Sequence, residues 1–220
     1  MRQAEVIEEG EYYHVYNRGN RRQQMFHDQR DYARFIFLIL HSHGTFVPSN
    51  THRHVSYFLR DGSFKLQAED LGLIEQSRRA DLAVFALMPN HFHLILKEKL
   101  SGGISSVMQR VLTGYTKYYN EKYRQSGHLL QGKFGRIHIA DNRQLLHTSA
   151  YIHRNPRELK GWENKEHKYP WSTLQDYVIE NRWGNLLEQN SLLEQFSKPD
   201  DYHHFVKASP SKDPLFEVEL

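Results

Sequence analysis

Two histidines, His91 and His93, are set two residues apart in the segment MPNHFHLIL, residues 88–96. Side chains alternate between the faces of a β-strand, so both imidazoles would point the same way while the apolar residues between and after them point towards a core. Two imidazoles on one face form part of a metal site that needs a third ligand from elsewhere. The chain has 15 histidines, so the spacing alone also fits a pair without function.

A tyrosine and an asparagine could complete such a site. Tyr151 lies near the end of a predicted helix at residues 143–154. Asp141 or Asn142 would cap the start of this helix, and it would end at Asn155 because the next residue is a proline. If helical geometry continues to Asn155, its side chain and that of Tyr151 lie one turn apart, by about 5–6 Å. A phenol and an amide oxygen could then both meet the histidine pair. The alternative is a buried tyrosine followed by a C-capping asparagine.

The predicted elements alternate in a way that indicates one α+β fold. Hydrophobic periodicity predicts strands at 11–17, 82–87, 91–97 and 136–140, and helices at 28–43, 104–124 and 143–154. This order matches a ferredoxin-like βαββαβ antiparallel sheet with an added C-terminal helix that carries Tyr151. Residues 44–80 fit the pattern less well and suggest an insertion, with a short strand at 54–59 and a short helix at 69–77.

Composition excludes several classes of protein. With no cysteine among its 220 residues, the chain can form neither a disulfide framework nor a cysteine-based zinc finger. No apolar run approaches the length of a membrane span and the N-terminus lacks a signal-like apolar segment, so we expect a cytoplasmic protein with no membrane partner.

Charge is distributed unevenly along the chain. Residues 186–220 contain 3 Lys/Arg and 7 Asp/Glu, a net charge of −4; because the whole chain carries +3, residues 1–185 carry +7. A basic body favours a polyanionic partner, most often nucleic acid, although an ordinary basic enzyme surface is also compatible. We therefore predict a domain at 1–183 and an acidic extension at 184–220 that is partly disordered, a regulatory lid or a dimer contact.

Five motifs in this order resemble the single-tyrosine HUH transposases of small insertion sequences, and most of all the REP-associated tyrosine transposases. They are YHVYNRGNRRQ, MPNHFHLIL, GHLLQGKFG, AYIHRNPRELKGW and YPWSTLQDY, and they span roughly residues 10–178. The resemblance implies that His91 and His93 bind a divalent metal, that Tyr151 is the nucleophile and that Asn155 completes the metal site. It also implies single-stranded DNA, often beside a hairpin, as substrate, with a 5′-phosphotyrosine intermediate and a free 3′-OH.

The remaining expectations follow from combining this resemblance with the residue chemistry. The cofactor would be Mg²⁺ or Mn²⁺, and the protein would be a monomer or homodimer associated with the nucleoid. The candidate DNA contacts are Arg18, Arg21, Arg22, Lys133 and Arg136. Two other readings stay open: a DNA-binding module on the same fold that lacks activity, and a metal-dependent hydrolase that uses water in place of Tyr151.

Overall fold

The computed structural model describes residues 7–209, and in this part of the chain four strands form an antiparallel sheet in the order β2-β3-β1-β4. The strands are β1 (Tyr12–Arg18), β2 (Ala80–Met88), β3 (His91–Glu98) and β4 (Gly135–Ile139). The helices are α1 (Gln29–His41), α2 (Thr51–Asp61), α3 (Ala68–Gln76), α4 (Gly103–Tyr123), α5 (Asn142–Arg154), α6 (Leu174–Val178), α7 (Asn190–Leu193) and α8 (Pro199–Ala208). None of the helices described is long and apolar enough to cross a membrane.

The sheet has helices on both faces, and the strand and helix order confirms the predicted βαββαβ arrangement. Helices α1 and α4 cover one face, where the rings of Phe35 and Phe92 lie 5.0 Å apart and Tyr115 is fully buried. Helix α5 packs on the other face, against β2, β3 and β4. Because both faces are covered, β2 is apolar and buried over almost its whole length rather than alternating.

A tight turn at Pro89 and Asn90 joins β2 to β3, as the sequence predicts. Met88 pairs with His91 across the hairpin, so the first residue of β3 stands at one end of the sheet. The end of β1 lies beside it, since Arg18 pairs with His91 and the Gly19 amide donates to the Asn90 carbonyl at 2.8 Å. The histidine pair and the basic loop that follows β1 therefore lie together at this end of the sheet.

The predicted short strand at 54–59 is wrong, because these residues lie inside α2. Val55 is buried against α1, and one turn later Phe58 stacks on Phe64 with ring centroids 4.5 Å apart. Apolar side chains at helical spacing thus pack against α1. This tertiary contact stabilises a helix and outweighs the strand preference of the segment VSYFL. The predicted helix near 69–77 is present as α3.

Residues 184–209 continue the core. Leu186, Leu192 and Tyr202 are buried, and Tyr202 lies against α5 and α6. The predicted boundary at residue 183 stays a prediction, and residues 210–220 lie outside the described residues.

One buried carboxylate joins the start of α1 to the end of α4. The side chain of Asp31 is inaccessible to solvent and accepts hydrogen bonds from Lys122 Nζ at 2.6 Å, Tyr123 Oη at 2.6 Å and Tyr118 Oη at 2.9 Å. Burial alone would raise the pKa of Asp31, but these hydrogen bonds reverse the effect and hold the pKa below its ordinary value of 3.8.

We expect Asp31→Asn to lower the free energy of unfolding by about 3 kcal/mol at pH 7, because it removes one partner of a buried charged pair. A carboxylate with a lowered pKa stabilises the fold above its unfolded-state pKa, and this contribution is lost as the pH falls. Urea unfolding at a series of pH values should show the difference between wild type and variant shrinking below about pH 4. A difference that stays constant between pH 7 and pH 3 would contradict this account.

Candidate active site

The two histidines of β3 share the sheet face that α5 covers. His91 and His93 pair with Arg18 and Tyr16 of β1, so these four side chains lie on the same face. The ring centroids of the two histidines are 5.1 Å apart, and His93 is fully buried.

Burial keeps both imidazoles neutral. Desolvation lowers the pKa of His91 to about 4; a hydrogen bond with Asn155 partly opposes this effect, and the charge of Arg18 adds to it. Burial also places the pKa of His93 well below 6.5, with smaller contributions from His14 and His91. Each ring therefore carries one nitrogen lone pair at neutral pH, which is the form that binds metals.

A third histidine, which the sequence analysis missed, lies beside the pair. His14 of β1 is buried, and its Nε2 lies 2.9 Å from Nδ1 of His93. Both rings are neutral, since burial also lowers the pKa of His14 to about 3, and one of the two nitrogens must donate a proton to the other. Among the described residues, His93 Nε2 and His14 Nδ1 are buried nitrogens without a hydrogen-bond partner.

Helix α5 brings Tyr151 onto the imidazoles. The helix starts where the Asp141 side chain accepts from the Gln144 amide at 2.7 Å, so Asp141 is the cap among the two residues that the sequence allows. Its Tyr151 ring lies edge-on to His93 and His14, with centroid distances of 5.6 and 6.2 Å. The phenol is thus part of the same cluster as the histidine pair.

Asn155 completes the cluster. It keeps helical backbone angles and is largely buried, as the proposed one-turn spacing from Tyr151 requires. Its Nδ2 donates to the Tyr151 carbonyl at 2.9 Å, and its side chain is near enough to His91 to raise the pKa of that imidazole. The Asn155 side chain therefore lies next to His91.

A hydrogen-bond network on the far side of α5 fixes this helix. Buried His153 contacts Tyr202 Oη of α8 at 2.7 Å and Thr173 Oγ1 at 2.9 Å, and Thr173 is in turn bonded to the backbone of Phe85 in β2. The described part of the acidic extension therefore supports the helix that carries Tyr151.

A second tyrosine borders the cluster. The ring of Tyr16 is 5.3 Å from that of His14 and 6.3 Å from that of His93. It lies directly on the backbone of Gly135, where an added Cβ would fall 2.3 Å from the ring, so any other residue at this position would displace the Tyr16 ring. Burial raises the pKa of Tyr16, so the ionised phenolate forms less readily.

The predicted DNA contacts do not all lie together. Arg18 is beside His91, and its Nε donates to Gln131 in the loop before β4. Arg21 and Arg22 follow in a short turn, both with left-handed backbone angles, and Lys133 is exposed in the 125–133 loop. Arg136, in contrast, pairs with Val15 and so lies on the opposite face of the sheet from the histidines.

Comparison with known proteins agrees with this arrangement. The family described as "Transposase IS200 like" matches residues 64–155, a range that includes His91, His93, Tyr151 and Asn155. A solved structure of a REP-associated tyrosine transposase bound to a REP hairpin is similar over 90% of this chain and 94% of its own, with a TM-score of 0.55 and 18% identity. No curated protein matches the chain significantly. The resemblance that the five motifs indicate is therefore confirmed, and residues 64–155 of this chain are similar to the IS200-like transposases.

Proposed function

We propose that this protein is a metal-dependent endonuclease and strand transferase for single-stranded DNA, with Tyr151 as its nucleophile. The observation that carries the proposal is the packing of the Tyr151 ring on His93, at 5.6 Å, within a cluster of buried neutral imidazoles.

The donor set fits a divalent metal held by His91, His93 and the amide oxygen of Asn155. A buried imidazole nitrogen without a partner is unfavourable in a fold unless it binds something, and His93 Nε2 is such a nitrogen. No group of three His, Cys, Asp or Glu residues within 7–209 is placed to hold a metal, and the third ligand proposed here is an amide. When bound, Mg²⁺ or Mn²⁺ would offset the charge of a phosphodiester, and imidazole ligands favour Mn²⁺.

The chemistry of the strand break follows from the nucleophile. Tyr151 loses its phenolic proton and its Oη attacks phosphorus; as the Oη–P bond forms, the bond from phosphorus to the 3′ oxygen breaks. The departing 3′ oxygen takes up a proton, which leaves a free 3′-OH and a 5′-phosphotyrosine. Attack by a 3′-OH on the phosphotyrosine reverses these changes and rejoins the strand, so no external energy source is required.

The expected substrate is single-stranded DNA next to a hairpin. The REP-associated relative binds a REP hairpin, and residues 1–185 of this chain carry a net charge of +7. Arg18, Arg21, Arg22 and Lys133 belong to the segments at the histidine end of the sheet, where they would contact phosphates flanking the cleavage point. Arg136, on the other face, would contact a different part of the DNA.

A covalent-adduct assay tests this function. Labelled hairpin DNA with single-stranded arms is incubated with the protein and Mn²⁺, and the denatured products are digested with nuclease and trypsin. Cleavage after Arg143 and Arg154 releases the peptide QLLHTSAYIHR, in which Tyr151 is the one tyrosine. We expect mass spectrometry to find the nucleotide on this peptide and on no other, and chelator to abolish it.

The other readings predict different products. Cleaved DNA without a peptide adduct would indicate a hydrolase that uses water as nucleophile. A retarded band on a native gel without cleavage of any hairpin tested would indicate a DNA-binding module that lacks activity.

His14 should act as a positioning residue for the proposed metal. Only the tautomer in which His93 Nδ1 donates to His14 Nε2 leaves His93 Nε2 free to bind a metal. We expect His14→Phe, which removes the acceptor, to weaken Mn²⁺ binding about 10- to 100-fold in calorimetric titrations of DNA-free protein. His14→Gln, which restores an acceptor oxygen, should recover part of this loss.

The matched control for this prediction is His138→Phe. His138 is another strand histidine, but it contacts Glu11 at 2.9 Å and pairs with Tyr13 on the opposite face of the sheet. The control should bind Mn²⁺ like wild type. Equal affinities for wild type, His14→Phe and the control would exclude a positioning role for His14, whereas a wild type that binds no Mn²⁺ would count against the metal site itself.

A further inference from the structure

A cavity on the α4 side of the sheet is left unexplained by the chemistry of Tyr151. It lies between the middle of α4 and the loop 125–133, has a volume of about 630 Å³, and adjoins a second cavity of about 330 Å³. The two share Asn20, His128 and Leu129 in their walls. The larger volume falls within the range of roughly 300–1,000 Å³ that is usual for small-ligand sites.

The walls of the larger cavity combine three kinds of group. Leu112, Leu129 and Leu130 supply apolar surface, Lys117 and Lys133 supply positive charge, and side chains such as those of Asn20 and Gln131 supply hydrogen-bonding groups. No Asp or Glu is among the residues that line either cavity. A flat apolar ring with polar edges and a phosphate attached is the ligand that matches all three, which is the chemistry of a nucleotide.

The loop that forms one wall is held in place by the chain that follows β1. The Asn20 amide donates to the Leu129 carbonyl at 2.8 Å, and the Gln131 amide donates to the Arg18 carbonyl at 2.9 Å. The Gln23 side chain also donates to Leu129 at 2.9 Å. The wall is therefore preformed, so little conformational entropy is lost when a ligand enters.

Arg18 links this cavity to the candidate active site. Its backbone pairs with His91 and its guanidinium donates to Gln131, a residue of the cavity wall. A DNA strand with one phosphate at the histidine pair would therefore contact Arg18 and could continue from Arg18 to the cavity.

We propose that this cavity binds one unpaired base of the DNA strand that flanks the cleavage point. The proposal rests on the DNA substrate given above. It adds a site that recognises a base on the α4 side of the sheet, whereas Tyr151 lies on the α5 side. The lysines at the rim would hold the adjacent phosphates, while the amides would read the edge of the base.

Fluorescence anisotropy in the presence of chelator tests the proposal without any cleavage. The probe is a DNA hairpin with single-stranded arms, and an abasic site is moved through the arms one position at a time. We expect one abasic position to weaken binding by wild type about tenfold, the size expected for one stacked base. Thr116→Trp, which fills the cavity from α4, should weaken binding of the intact probe similarly and make it insensitive to that abasic position.

Two further variants complete the design. Thr113→Trp places the same bulk at a more exposed position of the cavity wall and should behave like Thr116→Trp even if the latter folds poorly. Gln109→Trp adds an exposed tryptophan to α4 outside the cavity and should bind like wild type. If no abasic position is singled out, or if Thr113→Trp retains full sensitivity to it, the cavity is not a base site. Loss of the tyrosine adduct, by contrast, would contradict the proposed catalysis and leave this binding test unaffected.

Discussion

Tyr151→Phe should abolish the covalent adduct and lower the rate of strand cleavage by about a thousandfold or more, the effect expected when a nucleophile is removed. Affinity for hairpin DNA should change less than about threefold, because phosphate contacts supply most of it. The rate is measured in single-turnover experiments with Mn²⁺, and the affinity is measured by anisotropy in chelator.

Tyr16→Phe is the matched control, since Tyr16 is a second tyrosine whose ring borders His93, at 6.3 Å. Its phenolate is disfavoured by burial, and its neighbour Asn17 pairs with Phe92, on the sheet face opposite the histidines. We therefore expect Tyr16→Phe to keep the adduct. The opposite pattern, in which Tyr16→Phe loses the adduct and Tyr151→Phe keeps it, would reassign the nucleophile.

Local periodicity explains why so much of the fold was predictable. Side chains alternate between the two faces of any strand, so His91 and His93 lie on one face whichever strands are their neighbours. In the same way, the Asp141 cap and the proline after Asn155 determine where α5 begins and ends. These features depend on residues only a few positions apart, so the sequence displays them directly.

The features that were missed depend on contacts between distant residues. His14 is 79 positions from His93, and the two rings meet only because β1 pairs with β3 in one particular register. Alternation in YYHVYN would have shown that His14 and Tyr16 share a face, but it could not identify that face as the one with the β3 histidines. The position of Arg136 has the same origin, because a shift of one residue in strand register exchanges the two faces.

The helix α2 illustrates a related limit. Aromatic and β-branched residues at 54–59 favour a strand by composition, whereas burial of Val55 against α1 and the stacking of Phe58 on Phe64 select a helix. These contacts are made with α1 and Phe64, which lie outside residues 54–59. The sequence of residues 54–59 alone therefore could not predict the helix.

Replacing His93 should separate catalysis from stability, because a functional histidine and a structural one predict opposite results. His93 Nε2 is buried without a partner, and such a nitrogen destabilises a fold by about 1–3 kcal/mol. His93→Leu removes it but leaves His14 Nε2 without its partner, so we expect little change in stability. The double variant His14→Leu/His93→Leu removes both groups, and its free energy of unfolding should rise by about 1–3 kcal/mol.

Both variants should nevertheless lose strand cleavage by about a thousandfold or more, since a proposed metal ligand is gone. Urea unfolding measures the first effect and single-turnover cleavage the second. His138→Leu is the control on the opposite sheet face and should keep full cleavage. If instead the double variant is destabilised by several kcal/mol, the pair His14–His93 is a structural hydrogen bond of the core. A stable double variant without activity would mean that the fold tolerates an unfavourable buried nitrogen because the reaction uses it.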